Sequence, residues 1–463
     1  MGKQAIHFNI SERKILLRVV DILSVLLALY FVSNWFHFDY FTITKQNWTW
    51  VVVLIVYLIV FGTVFELYDL QKASRKDKVF ANIVLTSSIT VLFYLLTPFF
   101  TPILPSNRLQ IAYFYLAIMI ALSLWRLVYI YFITSPRFYK KVLIVGETSN
   151  IEGIISAFKD ADPNYKIVGY INCEKIVSER VRFKGIKEYS PESIHDIIKE
   201  ESISEIVVAS YNAENITPPI YRDLIRLLER GFPIKEYAQV FEDITYRVPV
   251  QFVGKDFYKY FPFSRSNQNK LYLFFHRLFD ILLALIGALI GSILVPFIFI
   301  GNLIANKGPL LYRQERVGKN GKLFRIVKFR TMVTNAELNG AVWAVKNDSR
   351  ITPFGMFLRR SRLDEIPQFL NILKGDMSLI GPRPERPSFV RELSDVIPFY
   401  ETRHIIKPGL TGWAQVNVRY GGTVKDSLLK LQYDLYYIKH RSFFLDLNVL
   451  IKTVGTMIYF RGQ

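Results

Sequence analysis

The sequence predicts a chain in three parts: a membrane α-helical bundle over residues 1–136, an α/β domain over 137–262, and a mixed α+β domain over 263–463 that includes a re-entrant membrane helix. Three observations lead there. Membrane-length apolar runs crowd the first 133 residues and recur once near residue 290. Short apolar strands alternate with helical stretches in the middle, the mark of a parallel sheet. The remainder is dense in glycine, proline, arginine and a few carboxylates, unlike anything before it.

Composition agrees with a chain partly in lipid and partly in water. Of 463 residues, 51% are hydrophobic and only 21% charged, so a purely soluble protein is excluded as the first reading. The net charge of +19 suits nucleic acid, anionic lipid or phosphorylated substrates; the membrane segments favour the last two, and no nucleic-acid partner is expected. Cys173 is the only cysteine, which rules out an intramolecular disulfide and a cysteine-built zinc site. The polar start MGKQAIHFNISERK carries no cleavage signal after it, so no removable signal peptide is expected.

Four apolar stretches, about 15–36, 48–68, 79–101 and 109–133, are each long enough to cross as helices. Basic residues alternate between their loops. Arg13, Lys14 and Arg18 precede the first, Lys72, Arg75, Lys76 and Lys78 follow the second, and Arg137, Lys140 and Lys141 follow the fourth; the other loops offer little beyond Lys45 and Arg108. The positive-inside rule therefore puts both ends of the bundle on the cytoplasmic side. Arg18, Asp21 and Arg126 lie in or near the apolar runs and read as interface snorkelling, mutual pairing or an intramembrane site.

From Lys140 the run KKVLIVGETSN gives a strand ending at Gly146 and a helix over about 151–159. KIVGYI (166–171), EIVVAS (205–210) and a helix around 219–230 ending at Gly231 continue the alternation. This is a Rossmann-like pattern whose dinucleotide fingerprint is broken, because the turn offers only Gly146 and, seven residues on, Gly153. A scaffold or regulatory module is the reading; its ligand is not legible.

Residues 279–305 are long enough to span, but Pro296 removes a backbone donor and predicts a kink. Lys307, Arg313, Arg316, Lys319, Lys322, Arg325, Lys328 and Arg330 follow against Glu315 alone, which holds the downstream end on the cytoplasmic side. A helix that enters, bends at Pro296 and returns satisfies both constraints. A straight fifth span would leave the last domain outside the cell.

Three clusters then carry chemistry. In 307–332 a turn at Lys319-Asn320-Gly321 joins two strand-like runs as a basic hairpin, with Arg313, Arg316, Lys328 and Arg330 able to neutralise phosphates or bind headgroups. In 357–387 the spacing of Leu363, Ile366, Phe369, Leu370 and Leu373 puts Asp364 and Glu365 on a helix, about 100° apart. Arg359, Arg360 and Arg362 stand nearby. Taken alone, an Asp-Glu pair in the first turn of a helix is often dipole compensation. The third cluster, Gly381-Pro382-Arg383-Pro384, shifts that balance, because flanking prolines fix the direction of one arginine.

The sequence from about 272 to 463 resembles the bacterial polyprenyl-phosphate glycosyl-1-phosphate transferases, the monotopic phosphoglycosyl transferases. The resemblance rests on the apolar helix broken at Pro296, Lys307-Gly308-Pro309, Arg313 to Gly318, Lys328 to Met332, Leu363-Asp364-Glu365-Ile366-Pro367-Gln368, Lys374 to Pro384, and Lys407 to Trp413. The bundle and the Rossmann-like domain resemble the family's large form, which initiates exopolysaccharide, capsule or O-antigen synthesis. Val295-Pro296 and His276-Arg277 depart from the Ser-Pro and Lys-Arg that family members often carry.

The resemblance implies a ping-pong transfer of a hexose 1-phosphate from a UDP-sugar to undecaprenyl phosphate at the bacterial inner membrane. Asp364 is then the nucleophile and first Mg²⁺ ligand. Glu365 is a second catalytic and metal-side residue, orienting or deprotonating the acceptor phosphate. Arg359 and Arg383 are the leading phosphate-binding candidates, with Lys328, Arg330, Arg313 and Arg316 after them. Two rival readings are a membrane-bound nucleotide-sugar dehydratase or epimerase, which would need an intact glycine fingerprint and a Tyr-x-x-x-Lys pair, and a non-catalytic polysaccharide-assembly scaffold. Stretches 425–440 and 443–460 suit either membrane-surface helices or core helices. The extra domains suggest assembly roles, a homodimer among them; the sugar is not legible.

Overall fold

Residues 10–458 are described by a computed structural model, except 37, 75, 134–138, 148–154, 156–157, 159–164, 174–185, 211–215, 251–264, 335, 337–347 and 419–420. The chain forms two units, Met1–Thr245 and Tyr246–Gln463. The expected domain boundaries near 136 and 262 lie outside the described residues.

In the first unit the apolar runs fold as α1 (Ile10–Trp35), α2 (Trp48–Val64), α3 (Lys76–Leu95) and α4 (Leu109–Val128), the last continuing as a π-helical turn over Tyr129–Ile133. α1 packs on α4, α2 on α3, and α3 on α4. Their shared core includes Val25, Leu29, Leu54, Leu58, Tyr94, Phe114 and Leu122. Outward faces keep Leu23, Leu27, Ile120 and Leu124 exposed, an apolar exterior that suits lipid.

Two helices are shorter than the sequence suggests. α2 stops at Val64, because Glu66 takes a left-handed φ of 57° and Leu67 turns back to donate to Gly62. α3 stops at Leu95, just before Pro98, which lacks a backbone donor. Among the described residues, Glu12–Trp35, Leu109–Ile133 and Lys270–Ala305 are long and apolar enough to cross a membrane; Trp48–Val64 and Val79–Leu95 are shorter apolar helices. Asp21 and Arg126 do pair, at 2.7 Å, with both side chains buried.

The α/β part is a five-stranded parallel sheet of β1 (Lys140–Gly146), β2 (Tyr165–Asn172), β3 (Lys187–Tyr189), β4 (Glu205–Ala209) and β5 (Ile234–Glu236), in the order β3-β2-β1-β4-β5. Helices α5 (Ile194–Glu200), α6 (Pro218–Glu229) and α7 (Tyr237–Thr245) accompany it. The expected helix over 151–159 falls almost wholly outside the described residues. Gly146 has a packing reason: a Cβ there would sit 2.5 Å from the Ala209 carbonyl oxygen of the neighbouring strand. That close approach explains the glycine without a bound phosphate.

The second unit is organised along α8 (Lys270–Ala305), one uninterrupted helix of 36 residues that contains Pro296. Asp280, Ala284, Gly291, Ile298 and Asn302 form its buried stripe, while Leu285, Leu289, Ile293, Phe297 and Ile304 remain exposed. The hairpin forms as expected, β6 (Leu311–Val317) antiparallel to β7 (Leu323–Phe329). Its turn uses left-handed Asn320 and Gly321. Beyond it lie α9 (Pro353–Arg360), α10 (Gln368–Lys374), β8 (Ser378–Ile380), α11 (Pro387–Val396), β9 (Gly409–Thr411), α12 (Trp413–Asn417), α13 (Val424–His440) and α14 (Phe443–Ile458). Leu431, Leu435, Tyr437 and Ile438 bury α13 in the core. α14 leaves Phe443 and Phe444 outside, the former against Phe279 of α8.

Candidate active site

The Asp364-Glu365 pair does not sit in a continuous α-helix. Pro367 cannot donate to the Leu363 carbonyl, so the run expected from Leu363 to Leu373 splits into a 3-10 turn, Leu363–Glu365, and the separate α10. Arg362 enters the turn in the left-handed region, at φ 58°. Successive side chains in a 3-10 turn diverge by about 120° rather than 100°. The two carboxylates therefore meet different surroundings although both are buried, at 7% and 8% exposure.

Glu365 is pinned. Its Oε1 lies 3.2 Å from Lys328 Nζ and 3.3 Å from Arg383 Nη2, and its Oε2 lies 3.4 Å from Arg362 Nη1. Burial alone would raise its pKa; the charges of Lys328, Arg383 and Arg362 more than reverse this and hold it well below the usual range. Asp364 is the opposite case. Burial, reinforced by the charge of Glu365, pushes it up to about 6 against the pull of Lys328, Arg359 and Arg362. Its Oδ1 is buried without a hydrogen-bond partner.

The cations arrive from three directions. Lys328 faces Tyr312 across the hairpin, and Arg316 stands on the same face opposite Phe324. Desolvation lowers the pKa of Lys328, with Glu365 opposing it. Arg316 donates to the Pro384 carbonyl and to Gln314. Arg359 reaches from α9, where its Nε donates to Thr331 Oγ1 at 2.9 Å. Arg383 comes from the Gly-Pro-Arg-Pro turn.

That turn is held by close backbone contact. Gly381 N–H donates to the Thr411 carbonyl and Gly409 N–H to that of Pro382. A Cβ on Gly412 would meet the Gly381 carbonyl oxygen at 2.1 Å, so no side chain fits between the two segments. Behind the turn, Arg403 donates to the Arg383 carbonyl and to Asp434, at 3.2 and 2.7 Å. Arg383 Nη1 donates to Gln415. One arginine's direction is thus set by packing rather than by chance.

Asp364, Glu365, Lys328, Arg383, Arg316 and Arg359 come together. Arg330 sits one residue past β7, 7% exposed, and donates to the carbonyls of Pro309, Met332 and Asn306 and to the Asn306 side chain; it ties the hairpin to the end of α8. Arg313 is exposed, on the hairpin face away from Lys328. Two further side chains touch the site: Arg362, expected nearby but entering through a left-handed backbone that no residue pattern announces, and Gln415, which accepts from Arg383 and follows the matched Lys407 to Trp413 string. Gln368, inside the matched Leu363 to Gln368 string, is 2% exposed and its amide nitrogen has no partner.

No group of three or more His, Cys, Asp or Glu able to hold a metal occurs among the described residues. A Mg²⁺ ion needs only one or two carboxylates when substrate phosphates complete its shell. Asp364, with an unpartnered oxygen, fits that requirement. Glu365 fits it less well, since both its oxygens face cations.

Residues 271–459 match the model of the bacterial sugar transferase family. The chain is similar to the UDP-N-acetylgalactosamine-undecaprenyl-phosphate N-acetylgalactosaminephosphotransferase of Aeromonas hydrophila, 38% identical over 55% of this chain and 59% of that protein. It is also similar to the UDP-glucose:undecaprenyl-phosphate glucose-1-phosphate transferase of Klebsiella pneumoniae, 39% identical over 42% of each. To the sugar transferase EpsL of Bacillus subtilis, which is uncharacterized, it is 36% identical over 40% of this chain and 88% of that one.

Proposed function

As the chain belongs to the bacterial sugar transferase family, we propose that it moves a sugar 1-phosphate from a UDP-sugar to undecaprenyl phosphate through a covalent Asp364 intermediate. The chain spans 59% of the length of the Aeromonas relative and 42% of the Klebsiella one. Their printed activities supply the donor and acceptor classes, and their two sugars leave the hexose open.

The observation that carries the reading is the asymmetry of the pair. Glu365 is locked by three cations, whereas Asp364 keeps a buried, unpartnered oxygen and a pKa of about 6. A carboxylate with that pKa is ionised at neutral pH yet poorly solvated, which makes it a better nucleophile than an exposed one. Its oxygen attacks the β-phosphorus; the phosphoanhydride bond breaks, and UMP leaves with the electron pair. An oxygen of undecaprenyl phosphate then attacks the same phosphorus, the aspartyl bond breaks, and the carboxylate returns.

Lys328, Arg316, Arg359, Arg362 and Arg383 outnumber the two carboxylates, so the site carries surplus positive charge for a diphosphate. A Mg²⁺ ion held by Asp364 would offset phosphate charge during both displacements. Glu365 keeps Lys328 and Arg383 aimed, which fits an orienting role better than a proton-accepting one.

The helix geometry supports a monotopic placement. Arg277 donates to the carbonyls of Ile372 and Leu373 near one end of α8, and Asn306, just beyond the other, donates to that of Arg330. Between them Gly287 packs on Phe369, Gly291 on Ile366 and Gly301 on Phe354. These contacts follow the helix for roughly 43 Å at 1.5 Å per residue. A straight crossing would carry the folded domain into about 30 Å of hydrocarbon. A helix dipping into the cytoplasmic leaflet and returning leaves its exposed apolar face in lipid and the site at the interface.

The test is UMP release by the purified chain from UDP-sugars, with Mg²⁺ and with or without undecaprenyl phosphate. Release by wild type and its loss in Asp364→Asn are expected, with a phosphosugar trapped on Asp364 by mass spectrometry. No release with UDP-glucose, UDP-galactose or their N-acetylated forms, or undiminished release by the variant, would overturn the proposal.

A further inference from the structure

The bundle of the first unit holds a charge cluster that the transfer reaction does not use. Arg126 of α4 is 1% exposed and Asp21 of α1 is fully buried. Arg126 Nη2 donates to Asp21 Oδ2 at 2.7 Å and to the Leu67 carbonyl at 3.3 Å. Its Nε and Nη1 have no hydrogen-bond partner, nor do Arg18 Nε and Asp21 Oδ1. Tyr68 stands between the arginines, its ring centre 5.2 Å from the Arg18 guanidinium and 6.0 Å from that of Arg126.

The surrounding backbone makes room for this arrangement. A Cβ on Gly62 would meet the Tyr68 ring at 2.7 Å. The left-handed turn at Glu66 folds Leu67 and Tyr68 back toward the cluster. α4 passes into the π-helical turn Tyr129–Ile133 three residues after Arg126, a distortion common at functional sites.

A lone Arg-Asp pair would satisfy itself. Here Arg126 and Arg18 keep donor nitrogens that Asp21 does not engage, and charged donors at membrane depth are costly without an anion. Arg126 lies seven residues before Ile133, roughly 10 Å along the helix from its end, the depth at which a phosphate can meet a snorkelling arginine. We propose that this cluster binds the phosphate of an anionic lipid through Arg126 and Arg18, while Asp21 Oδ1 accepts from a headgroup hydroxyl. Phosphatidylglycerol offers both groups. The inference rests on the proposed membrane placement of the bundle, not on the transfer chemistry.

The experiment is native mass spectrometry of the purified full-length chain, exchanged from detergent containing phosphatidylcholine with added phosphatidylglycerol, undecaprenyl phosphate or inorganic phosphate. Wild type is expected to retain one phosphatidylglycerol. The double variant Arg126→Gln/Asp21→Asn should lose about tenfold in retention, the scale of one charge-assisted contact. Asp21→Asn alone should retain more than wild type, because it frees Arg126 Nη2 and removes the competing anion; a merely structural pair would show no such gain. Arg18→Gln gives a second, milder loss if the double variant fails to fold.

Equal retention by wild type and the arginine variants, a fall in retention with Asp21→Asn, or displacement of the lipid by equimolar inorganic phosphate would overturn the inference. Retention of undecaprenyl phosphate in place of phosphatidylglycerol would overturn it too, because that lipid has no glycerol hydroxyl for Asp21. UMP release without added lipid should be the same in all these variants. If wild type releases no UMP yet retains the lipid as described, the proposed transfer activity falls and this site stands.

Discussion

Replacing Asp364 with asparagine should stabilise the second unit while abolishing its chemistry. The carboxylate is pushed up from an ordinary value of 3.8 to about 6 because it is buried, and beside Glu365. At about 1.4 kcal/mol per pH unit, that gap corresponds to roughly 3 kcal/mol by which the ionised form opposes folding. The sign follows from the raised pKa: the folded state binds the proton more tightly, so wild type is relieved of this cost in acid and bears it fully above pH ~6. Asp364 Oδ1 has no hydrogen-bond partner, so asparagine forfeits none there. Thermal unfolding of the purified chain at pH 8 should show the midpoint of the second unit raised by roughly 6–12 °C in Asp364→Asn, at about 2–4 °C per kcal/mol. The gain should fade between pH ~6 and ~4. Glu365→Gln should do the reverse. It leaves Lys328, Arg362 and Arg383 without their counter-ion, a loss near the low end of ~3–5 kcal/mol because Arg362 and Arg383 keep 25% and 30% exposure. A lowered or unchanged midpoint for Asp364→Asn at pH 8, or a gain that persists at pH 4, would refute the reasoning.

Further outcomes follow from the same geometry. UMP release should fall about tenfold per pH unit below pH ~6 as Asp364 protonates, measured as initial rate at saturating UDP-sugar; a flat profile down to pH 5 contradicts the assignment. Arg383→Ala should lower kcat by roughly 100-fold, and Arg313→Ala, on the far face of the hairpin, by less than about twofold, both read from steady-state UMP release. Gly412→Ala should cost ~1–3 kcal/mol of stability and lower kcat as well, since its Cβ would push on the Gly381 carbonyl, two residues before Arg383. For topology, single cysteines at Lys270 and Lys307, placed beside buried Cys173, should both react only with a reagent supplied from the cytoplasmic side; opposite labelling of the two would show a straight crossing.

Legibility of this chain in its sequence followed the reach of the interactions involved. The hairpin was readable because Lys319-Asn320-Gly321 is local turn chemistry, and the parallel sheet because strand patterns such as KKVLIVG and EIVVAS are local too. The ends of α2 and α3 were overrun, since hydropathy continues past Val64 and Leu95 while the backbone does not. At the site, the cluster of charges was visible but its wiring was not. Nothing in LDEIPQ states that Pro367 turns an expected helix into a 3-10 turn, or that Arg362 adopts a left-handed backbone to enter it. Yet that local break separates the two carboxylates. Lys328 and Arg362 pull on both carboxylates, and the charge of Glu365 adds to the rise of Asp364, so the two titrate as a pair. What differs is their contacts: Glu365 pairs with Lys328, Arg362 and Arg383, while Asp364 Oδ1 is buried without a hydrogen-bond partner. Proline at 367 therefore does more than end a helix: the turn before it leaves one acid held by cations and the other with an open oxygen, the arrangement the proposed covalent step requires.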